Sequence, residues 1–387
     1  MIPSHFNAVR LLNKVVANNF KSWWFSLAFL ALTIFHATST FAQTDTVTVD
    51  TLKKKSRIFP SPVLGYTPET RFYFGAGVVW YLPPPKKYKD TNASVLKGVF
   101  VYTLNKQIES NISGDSFFKN NLYRLNYSTS YFKFPDSFFG IGNYTKEEDR
   151  EKYDYDFFNI YINAQRLVKK DIYVGAKTFF EYTKVYNTLP GGFFDTAEIS
   201  GEEGGINTGI GPWFTYDTRD NIYFPIKGMS IDVSAVLHNK IIGSNYNYVD
   251  YQIEASQFNK IGKDDVLGFN LYGQFVPGNP PFNRLAQLGG DKHMRGNFEG
   301  RFRDKNYITF QSEYRITFLK YFAINIFAGL GEVADEFANF SLSGLKYSYG
   351  AGGRLFIVPE DKLSLRVDYG FDGEGNGGFY VTFREAF

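Results

Sequence analysis

Residues 307–318, YITFQSEYRITF, decide the fold because polar and apolar residues alternate along them. Phe310 and Ile316 fall on one side of an extended chain, whereas Glu313 falls on the other. Successive side chains of a β-strand point to opposite faces, so this period of two predicts a strand with one apolar and one polar face. The same alternation recurs in segments 229–237, 249–256 and 362–370.

Sixteen such segments can be counted, without a convincing helix between them. They start near residues 61, 71, 95, 107, 121, 155, 171, 206, 228, 247, 264, 306, 321, 346, 362 and 378. Most long connectors follow odd-numbered segments, as expected if long loops lie outside a membrane and short turns inside it. The long connector 83–94 breaks this rule and leaves open an alternative in which the first segment is not a strand.

A soluble β-sandwich also alternates, so alternation alone does not place the chain in a membrane. The number of segments favours a membrane barrel, and so does the final one, GFYVTFREAF, which runs to Phe387. An exposed edge strand would invite aggregation unless the sheet closed on itself. We therefore predict an all-β fold, a sixteen-stranded antiparallel transmembrane β-barrel.

The composition agrees with such a barrel. Aromatic residues make up 19% of the chain, yet the mean hydropathy is −0.26. A sheet with lipid-facing apolar residues and inward-facing polar ones combines both properties. The absence of cysteine excludes disulfides, thiolate metal sites and cysteine nucleophiles. With four histidines and no visible catalytic set, we expect no enzyme activity, metal or cofactor.

The start of the chain is typical of a secretory signal peptide. Residues 1–42 combine basic residues, the apolar run 23–35 and small residues near Ala42. An uncleaved helical anchor is the alternative, although this run is short for a membrane span of about 20 residues. We expect a short periplasmic tail at 43–58 and the barrel at 59–387, which leaves no room for an additional folded domain between them.

Charge gives no indication of a nucleic-acid partner. The chain has 42 basic and 39 acidic residues, and residues 1–42 hold three of the basic residues and none of the acidic ones. The remaining chain is therefore balanced, without the basic excess typical of nucleic-acid binding.

The motif that points to a family lies at 288–306, LGGDKHMRGNFEGRFRDKN. Met294-Arg295-Gly296, followed by Phe298, resembles the Arg-Gly motif of the inward-folded loop in bacterial surface-antigen barrels of the BamA/TamA superfamily. The resemblance extends over roughly residues 59–387, the predicted barrel, so we expect a member of the family without periplasmic POTRA repeats. It implies a long loop that inserts into the barrel lumen.

The resemblance also implies a partner for Arg295. Glu313 matches the family's acid on strand twelve and would form an ion pair with Arg295, and Gly296 would permit a tight turn beside it. The family often has a second acid on strand thirteen, where this chain has Gly329. Asp368 could replace it, although Arg366 is an equally suitable partner for Asp368.

The last segment carries a second candidate signal. Phe379, Val381, Phe383 and Phe387 are predicted to share one face. A final strand with alternating aromatic residues resembles the recognition signal for barrel insertion, although the pattern also fits an ordinary lipid-facing strand.

The resemblance implies a role in outer-membrane protein assembly or translocation, without covalent chemistry. The expected location is the cell outer membrane. The expected partners are the lipid bilayer and client outer-membrane proteins or a separate periplasmic protein. A passive plugged pore or a structural surface barrel is the alternative.

Overall fold

The computed structural model describes residues 55–67, 71–104 and 106–387, and it is almost entirely β. The strands of this region are β1 Arg57–Thr67, β2 Arg71–Leu82, β3 Ser94–Thr103, β4 Ile108–Phe118, β5 Tyr123–Phe138, β6 Glu151–Lys169, β7 Ile172–Tyr186, β8 Gly204–Asp217, β9 Gly228–His238, β10 Asn247–Ile261, β11 Asp265–Phe275, β12 Gly278–Asn279, β13 Ala286–Leu288, β14 Phe302–Asp304, β15 Asn306–Leu319, β16 Phe322–Ala334, β17 Lys346–Val358, β18 Leu363–Asp372 and β19 Gly377–Phe383. Short helical turns occur only in connectors of the described region, such as Phe193–Thr196. The predicted signal peptide at 1–42 and most of the tail at 43–58 lie outside the described residues.

The long strands pair antiparallel with their neighbours along the chain, from β1–β2 to β18–β19. The exception is β11, which pairs directly with β15 because β12, β13 and β14 are short strands within the long connector between them. The prediction of an all-β antiparallel fold is confirmed. Strand β1 pairs with β2 along its whole length, so the alternative without a first strand is wrong.

The two faces of the sheet differ in polarity as the alternation predicts. On β16, Ile324 and Ile326 are exposed on the outer face, whereas Asn325 is buried on the inner face. Arg295, Arg315 and Arg366 are among the largest fully buried side chains. Arginine is almost never fully buried unless it is paired, so these three side chains must have partners inside the sheet. The fold thus buries charged side chains and exposes apolar ones. That inversion is typical of a barrel in lipid.

The segment at 218–227, between β8 and β9, crosses the interior of the sheet, and we call it the crossing segment. It packs against the long connector that begins at residue 83. Tyr223 and Phe224 are 2% and 0% exposed. The hydroxyl of Tyr223 donates to the carbonyl of Ala93, 2.5 Å away, and Asn221 donates to the carbonyl of Asp361, 3.1 Å away. The crossing segment therefore joins the 83–93 connector to the β17–β18 turn.

No helix in the described part of the chain is both long enough and apolar enough to span a membrane.

Candidate functional site: the inner loop and its arginine network

The loop that holds the Arg-Gly motif is anchored at its base by a small hairpin. Strands β13 and β14 pair through Ala286↔Asp304 and Leu288↔Phe302. The buried cluster at this base consists of Ala286, Leu288, Met294, Phe302, Tyr307 and Val333, with Tyr272 against it. Residues 289–301, which we call the inner loop, therefore start from a fixed base and extend over the inner face of the sheet.

Arg295 lies at the centre of the contacts of the inner loop. Its Nη2 lies 2.6 Å from Oε2 of Glu313 on β15, and its Nη1 lies 2.5 Å from Oδ2 of Asp368 on β18. All three side chains have no exposed surface. The guanidinium also stacks 3.6 Å from the ring centre of Phe327. One arginine thus joins the loop to two strands that are not adjacent in the sheet.

Three further arginines surround the two carboxylates. Arg315 donates from Nε to Glu313 at 2.8 Å. Arg354 donates to Glu313 at 3.1 Å and to Asp368 at 2.5 Å, while Arg366 lies 3.6 Å from Asp368. Arg295, Arg315, Arg354, Arg366, Glu313, Asp368 and Glu385 form what we call the arginine network. Buried charges are tolerated only when they are paired, and each charged side chain of the network has at least one oppositely charged partner.

Gly296 lets the inner loop approach the sheet closely. Its φ is +113°, and a Cβ built there would lie 2.5 Å from the backbone carbon of Phe371. The amide of Gly296 donates to the hydroxyl of Tyr380 on β19, 2.9 Å away. A side chain at this position would therefore displace the loop from both β18 and β19.

Gly329 stands where the family often has its second acid, and the structure gives a physical role to the replacement. A Cβ at Gly329 would lie 3.0 Å from the sulfur of Met294 and 3.1 Å from Gln311. Met294 is fully buried, and its φ of +56° is unusual for a residue with a side chain. The methionine side chain thus fills the space beside Gly329, and Asp368 provides the second carboxylate to Arg295.

Phe298, the last residue of the motif, lies outside the arginine network. It is 39% exposed, and its ring packs edge-on against Phe139 at 5.6 Å. A neighbouring aromatic cluster contains Phe138, Tyr153, Val185, Phe194, Ile199 and Phe282. Connectors from several strands therefore meet at this end of the sheet.

The C-terminal residues divide between the two sides of the sheet. Phe379 and Val381 are 54% and 53% exposed on the outer face of β19, and Phe383 is half-buried. The expectation that Phe387 shares their face is wrong. Strand β19 ends at Phe383, and Phe387 packs inside the sheet against Phe258.

Sequence reasoning missed four members of this site: Arg315, Arg354, Glu385 and Tyr380. Arg315 lies on the same strand and the same face as Glu313, so the alternation could have identified it. Alternation identifies Arg354 as facing inward but does not reveal its partners, which lie far along the chain. Glu385 follows the last strand, where the period of two no longer applies. Tyr380 lies between the outward-facing Phe379 and Val381, so the alternation could have identified it as an inward-facing residue. In the described residues, no group of three or more His, Asp or Glu side chains is arranged to hold a metal.

The comparisons with known proteins agree with this geometry. The Omp85 superfamily domain matches residues 101–387, and the chain belongs to this superfamily of outer-membrane β-barrel proteins. The predicted BamA/TamA relationship is confirmed. No curated protein sequence is significantly similar to the chain.

Solved structures share the fold at low sequence identity. BamA from Haemophilus ducreyi lacking POTRA domains 1–3 matches with a TM-score of 0.54 and 12% identity, covering 86% of this chain and 71% of that one. CdiB from Acinetobacter baumannii matches with a TM-score of 0.55 and 11% identity, and CdiB from Escherichia coli with 0.54 and 10%. Both matches cover 86% of this chain, which spans 59% and 63% of the two CdiB chains.

Proposed function

We propose that the chain forms a closed sixteen-stranded barrel in the bacterial outer membrane and assists the assembly or translocation of other outer-membrane proteins. Two observations support closure. The long strands pair in sequence order, and Phe59 of β1 and Phe383 of β19 pack against the same buried cluster. Closure would leave β1 and β19 facing each other along a seam.

The observation that carries the proposed function is the state of that seam. Strand β1 pairs with β2 and strand β19 pairs with β18, and no ladder joins β1 to β19 among the described residues. An unpaired strand edge offers a row of backbone donors and acceptors to another chain. A client strand could pair there while it folds into the membrane, and no covalent chemistry would be needed.

The arginine network supports the proposal from inside the sheet. It holds the inner loop against β15 and β18, and Tyr380 connects the loop to β19 itself. The loop would keep the interior filled and in shape while the seam admits a client. The bilayer is the first partner, and a client outer-membrane protein or a separate periplasmic protein is the second.

The test is the folding rate of a small outer-membrane barrel into liposomes, with and without this protein. We expect acceleration by the wild-type protein, less by Arg295→Ala, and an undiminished effect from Lys146→Ala, whose ion pair with Glu148 is exposed in the connector between β5 and β6. No acceleration by the wild-type protein would overturn the proposal.

A plugged pore is the second candidate, because the inner loop lies on the inner face of the sheet with its arginine fully buried. A pore of this kind would conduct in planar bilayers and gain conductance in Arg295→Ala. It would leave client folding unchanged.

A further inference from the structure

Residues 384–387 leave the sheet and turn inward. Arg384 follows the last residue of β19 and has a φ of +86°, a left-handed conformation that turns the chain away from the strand direction. Ala386 and Phe387 are then 2% and 7% exposed. The ring of Phe387 stacks on Phe258 of β10, with 6.1 Å between ring centres. We call residues 384–387 the strap.

The charged residues of the strap reach strands that do not pair with β19. Arg384 forms an ion pair with Asp115 on β4. Glu385 accepts from Nη2 of Arg354 on β17 at 2.7 Å, and it lies 3.6 Å from Nε of Arg315 on β15. Ion pairs therefore connect the strap to β4, β15 and β17 across the interior.

The strap and the inner loop share partners. Arg354, which binds Glu385, also binds both carboxylates that hold Arg295. The loop contacts β19 directly as well, through the bond from Gly296 to Tyr380. Strand β19 is thus held from the inside by the loop at Tyr380 and by the strap beyond its end.

The sheet itself holds β19 on one side only. The ladder to β18 runs from Phe371↔Gly377 to Leu365↔Phe383, and no ladder to β1 appears in the described residues. A short edge strand without a second partner opens locally at low cost. Contacts outside the ladder therefore matter more for β19 than for an interior strand.

We infer that the strap is a latch: its ion pairs with Asp115 and Arg354 hold β19 inward, and their release frees the β19 edge. What the freed edge would do, namely accept a client strand, rests on the proposed function. The latch itself does not depend on a client and can be tested with this chain alone.

Amide hydrogen exchange of the protein in liposomes, without any client, tests the latch. Asp115→Asn changes a residue on β4, a strand that pairs with β3 and β5 and not with β19. The loss of one charged hydrogen bond should raise exchange of the β19 amides about tenfold to a hundredfold. Asp115→Glu, which keeps a carboxylate for Arg384, should largely preserve protection, which a merely structural defect at this position would not do.

Two further variants complete the test. Glu385→Gln should raise exchange in β19 and in the inner loop together, because both depend on Arg354. Asp265→Asn, whose partner is Tyr314, is the matched control and should leave β19 unchanged. Unchanged β19 exchange in both Asp115→Asn and Glu385→Gln would overturn the latch. The assembly proposal fails separately, if wild-type protein does not accelerate client folding.

Discussion

Replacing Arg295 with alanine should destabilise the protein more than any exposed arginine substitution. Arg295 gives one hydrogen bond to each of two fully buried carboxylates, and each such charged bond contributes about 1.5–3 kcal/mol. The buried contact with Phe327 adds about 2 kcal/mol. Glu313 and Asp368 keep other arginine partners, so the loss should be smaller than this sum. We expect a decrease of about 3 kcal/mol in the free energy of unfolding.

The assay is equilibrium urea unfolding of the protein folded in lipid vesicles. Arg57→Ala is the control, because its pair with Glu360 is exposed and should contribute less than about 1 kcal/mol. Combining Arg295→Ala with Glu313→Gln should give a coupling energy of about 1 kcal/mol or more, since the two groups are in direct contact. An Arg295→Ala loss no greater than that of Arg57→Ala, or a coupling energy of zero, would refute the reasoning.

Three other predictions concern the inner loop. Gly296→Ala should lower the urea midpoint and weaken loop protection in hydrogen exchange, because the new Cβ meets backbone at a positive φ; Gly353→Ala, with open space around it, should do neither. Gly329→Asp should lower the free energy of unfolding by about 1–3 kcal/mol in the same assay, because the new side chain collides with Met294. Adding Met294→Ala should recover part of this loss, and no recovery would contradict overpacking as its cause. Desolvation by the protein atoms around the inner loop, reinforced by Asp291, raises the pKa of Glu299 to about 7, although its side chain keeps contact with solvent. Its charge therefore opposes the folded state above that pH, and this penalty disappears as the pH falls toward the ordinary carboxyl range. The urea midpoint of the wild-type protein should therefore be higher at pH 5 than at pH 8, and Glu299→Gln should reduce this difference. If the variant showed the same difference as the wild-type protein, Glu299 would not be its cause.

The strands could be predicted from the sequence because each one has to satisfy two different environments. The period of two places the start of every long strand within a few residues of its position in the structure. The same parity puts Glu313 and Asp368 on the inner face, which makes them available to Arg295. Local pattern is sufficient there because each strand carries its own alternation.

Contacts between distant parts of the chain could not be predicted in the same way. Arg354 binds carboxylates on β15 and β18 and beyond β19, and no local pattern specifies which inward residues meet. The end of β19 at Phe383 depends on the left-handed turn at Arg384 and on the interior sites that receive Phe387. The sequence places Gly329 where the family often has an acid, but it does not reveal that the side chain of Met294 fills the space beside this glycine.

The central claim, that clients are assembled at a seam between β1 and β19, can be tested by closing the seam covalently. The chain has no cysteine, so Phe59→Cys with Phe383→Cys introduces the only thiols. Both positions pack against the same buried cluster, so the two thiols can be joined by a bismaleimide long enough to span that cluster. Val367→Cys with Val381→Cys, a facing pair in the β18–β19 ladder, is the matched control. We predict that cross-linking the first pair abolishes the acceleration of client folding in liposomes and that cross-linking the control pair does not. Full acceleration by protein with a cross-linked seam would contradict the account.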